Sequence, residues 1–249
     1  MNVYELKQAV NNLAPFSLSE DFKKTGFHDN SNVICEGQGD KILCVLDLTI
    51  GAVEYAKQNG CGLILTHHPA IFAPIYSVKG PLAECIKNNI GVLSAHINVD
   101  FAKNGTDYYF AKLLGANQKN TIKILQNDNY GRLFSIKEQT LESFASFVKE
   151  KLNCKNVCVF GDKNVIVKKV ASFCGSGIDE KALADSQQAD VIVSADIKHH
   201  LLLSATQNGK CVIMPTHYAT ENLPFKLFCT DLSKKIKEKV LYYEQDTLL

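Results

Sequence analysis

The chain has 249 residues, enough for one large domain or two modest lobes with real cores. Hydrophobic residues make up 46% and charged residues 21%, and the net charge is +1, so neither a basic nucleic-acid-binding field nor an acidic solvating tail is indicated. Each longer apolar run is broken before the roughly 18 residues a membrane span needs, and no membrane association is expected.

Residues 1–13 (MNVYELKQAVNNL) read as an amphipathic helix with Val3, Leu6, Val10 and Leu13 on one side. They lack the basic start, apolar block and small-residue cleavage site of a signal peptide, so a cytoplasmic protein is expected. Strand-like and helix-like segments then alternate. Residues 41–49 (KILCVLDLT) are a strand, 51–59 a helix stopped by Gly60, and 61–66 (CGLILT) a second strand. Residues 81–89 are helix-like, 90–95 a third strand, and 105–114 a helix before Gly115. This rhythm implies a mostly parallel sheet with helices on its faces. Residues 116–132 are polar and rich in turn formers, the best place for a lobe boundary. Beyond them the alternation resumes: helix 141–152, strands 157–161 and 169–173, helix 178–188, strand 191–195, helix 197–207 and strand 210–214. A last long helix is expected over about 221–239, from Leu223, Leu227, Leu232, Ile236 and Val240 at helical spacing, with a final strand at 241–244. The expected lobes are residues 1–120 with about 212–249, carrying the metal ligands, and residues 121–211.

The nine cysteines are scattered, odd in number and without a CxxC, and most sit inside apolar runs. Buried reduced thiols are expected rather than a disulfide framework.

Six of the seven histidines come just past the C-terminal end of an expected strand: His67 and His68 after CGLILT, His96 after IGVLSA, His199 and His200 after VIVSA, and His217 after KCVIMPT. Binding crevices of open α/β sheets form outside those ends. In Thr66-His67-His68-Pro69 the backbone turns after the strand, so two neighbouring imidazoles can reach different metals, and Pro69 restricts the turn. The same pair also reads as solvated loop histidines. His217 and Glu221 are four apart and would share one face of a helix beginning near His217, although a carboxylate there also complements the helix dipole. Asp100 is a plausible ligand in a loop, and His96 a ligand or a partner orienting one. Asp107 reads as a helix cap. Asp196 reads either as a cap or as a cleft residue, and His199 or His200 can face the same cleft. Gly175-Ser176-Gly177 reads as a tight βα turn, with phosphate binding the weaker alternative.

Taken in order, LDLT (46–49), LILTHHPAIF (63–72), SAHINVDFAKNGTDYYFAKLLG (94–115), FCGSGID (173–179), ADVIVSADIKHH (189–200) and THYATE (216–221) resemble the Nif-three-like family, the GTP cyclohydrolase 1 type 2 homologues. The resemblance implies two related α/β lobes with mostly parallel sheets, a metal cleft between them, and a ring-like homohexamer. It also implies two divalent metal ions per chain, held by His67, His68, Asp100, His217 and a bridging Glu221, with His96 beside them. The chain departs from the family pattern at Thr216, where glycine is usual, and at Ala195-Asp196, where Gly-Glu or Gly-Asp is common; neither change removes a ligand.

The expected function is therefore a dinuclear metal-dependent hydrolase, GTP cyclohydrolase 1 type 2-like, in which metal-activated water attacks a small anionic, phosphate-bearing or nucleotide-type substrate. Asp196 and His200 are the candidates for proton transfer. Histidine and carboxylate ligands suit zinc, iron, manganese or nickel alike. The alternative is a non-catalytic metal-binding regulatory or interaction protein. Nucleic-acid binding has no basic patch or interleaved aromatics in its favour.

Overall fold

The computed structural model describes residues 1–24, 26, 28–117, 119–120, 122–125 and 130–245. In chain order the elements are α1 (Val3–Asn11), α2 (Ser17–Lys23), β1 (Val33–Cys35), β2 (Lys41–Val45), α3 (Ile50–Asn59), β3 (Leu63–Thr66), α4 (Gly80–Lys87), β4 (Gly91–Ser94), α5 (Ile97–Phe101), α6 (Thr106–Leu113), β5 (Lys123–Ile124), β6 (Arg132–Thr140), α7 (Leu141–Lys151), β7 (Cys158–Phe160), β8 (Ile166–Ser172), α8 (Glu180–Asp185), β9 (Val191–Val193), α9 (His199–Gln207), β10 (Cys211–Met214), α10 (His217–Ser233) and β11 (Lys239–Tyr242). They form two compact units. Among the described residues the first is Met1–Gly105 with 225–245, and the second is Thr106–Pro224. The sequence reading drew these boundaries near 120 and 212.

The first unit holds a five-stranded sheet in the order β1-β4-β3-β2-β11, parallel throughout except for β1 on β4. Its three middle strands are buried on both faces, which is why KILCV, LILT and GVLS read as unbroken apolar runs. Leu43, Val45, Ile64 and Val92 pack against Ala52, Val53 and Ala56 of α3 and Cys85 of α4. The Thr49 hydroxyl caps α3 at the Ala52 N–H, and Gly60 ends it at φ +67°.

The second unit holds a six-stranded sheet in the order β5-β6-β8-β9-β10-β7. Its core, β8-β9-β10, is parallel, and both flanks are antiparallel. Alternation along the strands splits the core. Val170, Val191, Val193 and Ile213 face Phe110 of α6 and Phe144 and Val148 of α7. Ala171, Ile192 and Val212 face Ala182 of α8 and Leu201 and Ala205 of α9.

The α/β class read from the sequence is the observed one. Two details differ. The last helix runs over His217–Ser233 rather than 221–239, because the lysine-rich 234–238 turns back and Val240 pairs with Ile42 in the sheet. Part of the polar stretch 116–132 lies outside the described residues, and its end begins the strand β6. Among the described residues no helix is long and apolar enough to cross a membrane.

Candidate metal centre

In the first unit β2, β3 and β4 lie side by side and parallel, so their C-terminal ends share one edge of the sheet. Asp47 follows β2, His67 and His68 follow β3, and His96 follows β4. Sheet pairing continues into these residues. The His67 N–H donates to Val45 O at 3.0 Å, His68 N–H to Leu46 O at 2.9 Å, and Ala95 N–H to Thr66 O at 2.9 Å. Two buried hydroxyls then shape the turn. Thr66 Oγ1 donates to His68 O at 2.8 Å and accepts from Ser94 Oγ at 2.8 Å, while Ser94 Oγ accepts from Ala70 N–H at 3.0 Å.

Each of the three rings is fixed through Nδ1. His67 Nδ1 lies 3.2 Å from Ala95 O, His68 Nδ1 2.7 Å from Asp47 Oδ1, and His96 Nδ1 2.9 Å from Asp29 Oδ1. A carbonyl or an ionised carboxylate only accepts, so Nδ1 carries the hydrogen and the lone pair of each neutral ring sits on Nε2. That is the arrangement of metal-ligating histidines, whose far nitrogen is held by an acceptor. Ligand atoms of His67, His68 and His96 all lie within 4.8 Å of one another. The fully buried His67 ring packs on Phe225, with centroids 5.0 Å apart. Its Nε2 is 3.4 Å from Oδ1 of Asp100, a carboxylate only 6% exposed. The loop expected to carry Asp100 is the short helix α5.

The carboxylates behind the rings are themselves held. The Gln245 side chain clasps Asp47, accepting from its N–H at 3.2 Å and donating to its O at 3.1 Å. Asp29 accepts from Ser31 Oγ at 2.7 Å and from Ser19 Oγ, and Ser31 Oγ accepts the His96 N–H at 2.9 Å. Burial works against the charge on Asp29. The hydrogen bonds from His96, Ser19 and Ser31 outweigh it and hold the carboxyl well below the usual range.

The second unit repeats the device. The C-terminal ends of β8, β9 and β10 lead to Gly175, Asp196 and His217. Asp196 takes a left-handed backbone at φ +47°, tolerable for aspartate, and its Oδ2 lies 2.6 Å from His217 Nδ1. His217 Nε2 therefore faces the other way, 3.0 Å from Glu221 Oε2 one helical turn on. Thr216 Oγ1 caps this end of α10 by accepting from Ala219 N–H at 3.2 Å. Glu221 is 3% exposed, and Gly175 lies against its carboxylate. Pro224 has no N–H to give to Thr220 O, and Cys174 Sγ donates to that oxygen instead, at 3.2 Å.

Within the first unit the structure thus brings together His67, His68, His96 and Asp100, and within the second His217, Glu221 and Asp196. His200 stands elsewhere, its Nε2 3.4 Å from Glu180 Oε1 on an exposed face. Asp196 does not cap α9, whose cap position is Lys198. Asp107 does not cap either. Its buried carboxylate pairs with Arg132 at 3.0 Å and accepts from the Gly131 and Cys174 N–H groups at 3.0 and 3.3 Å. The sequence reading missed Asp29 and the role of Asp47, which it placed inside the strand 41–49, whereas β2 ends at Val45 and leaves Asp47 just past the strand end. Asp29 sits in the polar run DNSN, which carries no signal. No disulfide joins the nine cysteines, and only Cys158 is exposed.

The donor set fits a divalent first-row metal: imidazole nitrogens with fixed tautomers beside nearly buried carboxylates.

A family model described as Duf34/NIF3 (NGG1p interacting factor 3) matches residues 1–247. A Clostridium perfringens protein named GTP cyclohydrolase 1 type 2 homolog is 29% identical over 250 residues, covering 96% of this chain and 93% of its own length. A Helicobacter pylori protein named GTP cyclohydrolase 1 type 2 is 28% identical over 88% of this chain and 86% of its own. The crystal structure of the Staphylococcus aureus hypothetical protein SA1388 superposes with a TM-score of 0.83 at 27% identity, covering 99% of this chain and 97% of that one.

Proposed function

The chain belongs to the Duf34/NIF3 family, and on that premise we propose that it is a divalent-metal-dependent hydrolase acting on a phosphate-bearing or nucleotide-type substrate. In this reading the site is dinuclear, with the ligands that the family resemblance implies: His67, His68, Asp100, His217 and Glu221. The observation that carries it is the shared anchoring of the imidazoles. His67, His68 and His217 each have Nδ1 against a carboxylate or carbonyl, which turns Nε2 outward as the ligand atom, and His96 is held in the same way. Two divalent ions so bound would supply a water of lowered pKa and a positive clamp for phosphoryl or carbonyl oxygens. Asp100 and Glu221 offset only part of the ionic charge, which favours an anionic substrate. GTP is the first compound to test, because the named relatives bear the GTP cyclohydrolase name.

The protein's own residues divide the remaining work. Asp196, Asp47 and Asp29 hold ring orientation and tautomer. Proton transfer is assigned to Asp196, to be tested by Asp196→Asn, since His200 stands on an exposed face beside Glu180. A cytoplasmic hexamer completes the proposal, and light scattering of the purified protein tests the assembly. The decisive experiment loads the protein with zinc, iron, manganese or nickel and follows GTP and other nucleotides by chromatography. Turnover that falls at least a hundredfold in Glu221→Ala is expected. Equal rates in the wild type and Glu221→Ala overturn the hydrolase reading. Stoichiometric metal with no turnover of any nucleotide favours the non-catalytic alternative.

A further inference from the structure

We infer that the second unit carries a small-molecule site outside the metal centre: a cavity of about 370 Å³ at the end of α6, between β6 and α7, suited to a small aromatic carboxylate. None of its lining residues is a candidate metal ligand, so the site stands or falls separately from the hydrolase reading.

The register of β6 opens the cavity. β6 pairs with β8 as far as Ser135 opposite Lys169, and pairing resumes at Gln139 opposite Val167. Residues 136–138 therefore stand against the single residue Lys168, a bulge that bends β6 and re-aims its side chains. Ile136 and Lys137 line the cavity from this bulge. On the other side α6 gives way to Gly115, at φ +104°, which has no side chain to fill the space. An added Cβ there would lie 3.6 Å from Ile136 Cγ2, so this position faces the bulge. The rim is held before any ligand arrives. Asn120 Nδ2 donates to Gly115 O at 2.7 Å and to Ser135 O at 2.6 Å, and Asn120 Oδ1 accepts from Asn117 N–H at 2.7 Å. One side-chain amide thus ties the helix end to β6 beyond the residues that β5 covers, Arg132 and Leu133. Preformed pockets of about 300–1,000 Å³, with an apolar wall and a few polar groups, are the usual form of a small-molecule site.

The lining names the ligand class. Leu114, Ile136 and Phe147 make an apolar wall, and the Phe147 ring is backed by the buried Phe144, with centroids 6.1 Å apart and planes 18° from parallel. That wall takes an aromatic body. Asn117, Lys137 and Gln139 add polar groups, and no described aspartate or glutamate lines the cavity. Gln139 Oε1 is taken by Ser143 Oγ at 3.0 Å, so its N–H groups are what it offers a ligand. The acids beside the cavity in sequence are committed elsewhere: Glu138 pairs with Lys168 at 2.8 Å and Glu142 with Lys163 at 3.3 Å. Lys137 has no ion-pair partner among the described residues. One uncommitted ammonium with amide donors suits a singly charged carboxylate, whereas a phosphate is better met by an arginine fork, which the cavity lacks.

The test titrates the full chain with 2-naphthoate, a planar aromatic carboxylate, and reads binding by isothermal titration calorimetry. One site with a Kd of about 1 mM or tighter is expected for a ligand of this size. 2-Naphthamide, the same body without the charge, should bind about tenfold more weakly or worse, and Lys137→Glu should weaken the acid by about the same factor. Ile136→Trp fills the cavity and should abolish binding. Ile136→Phe carries the same test if the tryptophan variant does not fold, as judged by circular dichroism. No binding at concentrations well above that Kd overturns the inference. So does binding unchanged in the filled-cavity variant, which puts the acid on another apolar surface. Binding indifferent both to Lys137→Glu and to the charge of the ligand overturns the carboxylate class. Binding lost in Glu221→Ala puts the acid on the metal centre and also overturns the inference. Turnover enters none of these readouts, so failure of the hydrolase reading leaves the test intact.

Discussion

Replacing Gly175 by alanine should remove metal affinity out of proportion to the stability it costs. Gly175 has φ +56°, and a Cβ there would overlap Oε1 of Glu221 and lie 3.3 Å from Cε1 of His217. The backbone has little freedom to retreat. Its N–H donates to Thr220 Oγ1 at 3.0 Å, and its carbonyl accepts from Ala195 N–H at 3.0 Å and Ser194 Oγ at 3.1 Å. The Glu221 carboxylate must therefore give way. A left-handed alanine alone costs about 1–2 kcal/mol. In a chain of this size that is roughly 2–8 °C of Tm, taking about 2–4 °C per kcal/mol. Gly209→Ala isolates this strain, since Gly209 has φ +72° and no atom within 4 Å of the added Cβ. Both variants should melt lower. Only Gly175→Ala should lose metal affinity, by a factor of roughly ten to a hundred or more, as expected when a ligand loses its support. Metal content after dialysis against buffered metal, with parallel melting curves, makes the comparison. Wild-type metal content in Gly175→Ala, with a Tm matching Gly209→Ala, would refute the idea that this glycine exists to seat the carboxylate.

Arg132→Met should cost about 3–5 kcal/mol in urea unfolding, because it leaves the buried Asp107 carboxylate without its cation; a loss under about 1 kcal/mol would mean that the Gly131 and Cys174 N–H groups suffice. Asp29→Asn should weaken metal binding roughly 10–100-fold while leaving His96 in place, since only the carboxylate behind the ring is lost; unchanged affinity by competition titration would remove His96 from the site. Chelation should lower Tm, since metal at 100 times its Kd contributes about 2.7 kcal/mol; a melting curve that does not move when metal is removed would argue against bound metal in the folded protein. A thiol reagent at pH 8 should label one cysteine quickly, and Cys158→Ser should abolish that phase, because Cys158 is exposed while burial pushes the Cys85 thiol up to about 12; a fast phase that survives the replacement would place the reactive thiol elsewhere.

How far the sequence discloses the site depends on which kind of residue is asked about. The histidines and their order were legible because they sit directly after apolar strand runs, and parallel strands bring the residues at their C-terminal ends to one edge. The His217–Glu221 pair was legible from helical spacing, and its 3.0 Å separation comes from α10 beginning at His217. The residues behind the histidines were not. Asp29 reaches His96 across 67 residues from a polar segment with no periodicity, and only the packed sheet puts its carboxylate behind the ring. Asp107 had the local signature of a cap, and tertiary structure overrode it by offering Arg132 and two backbone N–H groups. Strands such as β6 and β1 were missed for a related reason. RLFSIKEQT is half polar and VIC is three residues long, so neither carries a pattern that stands out before its partner strand is known.

The two units reach one solution from different sequences. In each, parallel strands end at a shared edge, a histidine follows a strand, and an aspartate from another segment fixes its Nδ1. The aspartates differ in how they are secured: Asp29 by two serines, Asp47 by Gln245, and Asp196 by its own left-handed backbone. A ligand set assembled this way is oriented before any ion arrives, so metal binding has little conformational entropy left to remove. The cost of that order falls on folding instead, in the buried Asp100 and Glu221 carboxylates and in a glycine that accepts no side chain. The carboxylates would be relieved by a cation and the glycine would not, so metal should recover the stability of the first and leave the second unchanged.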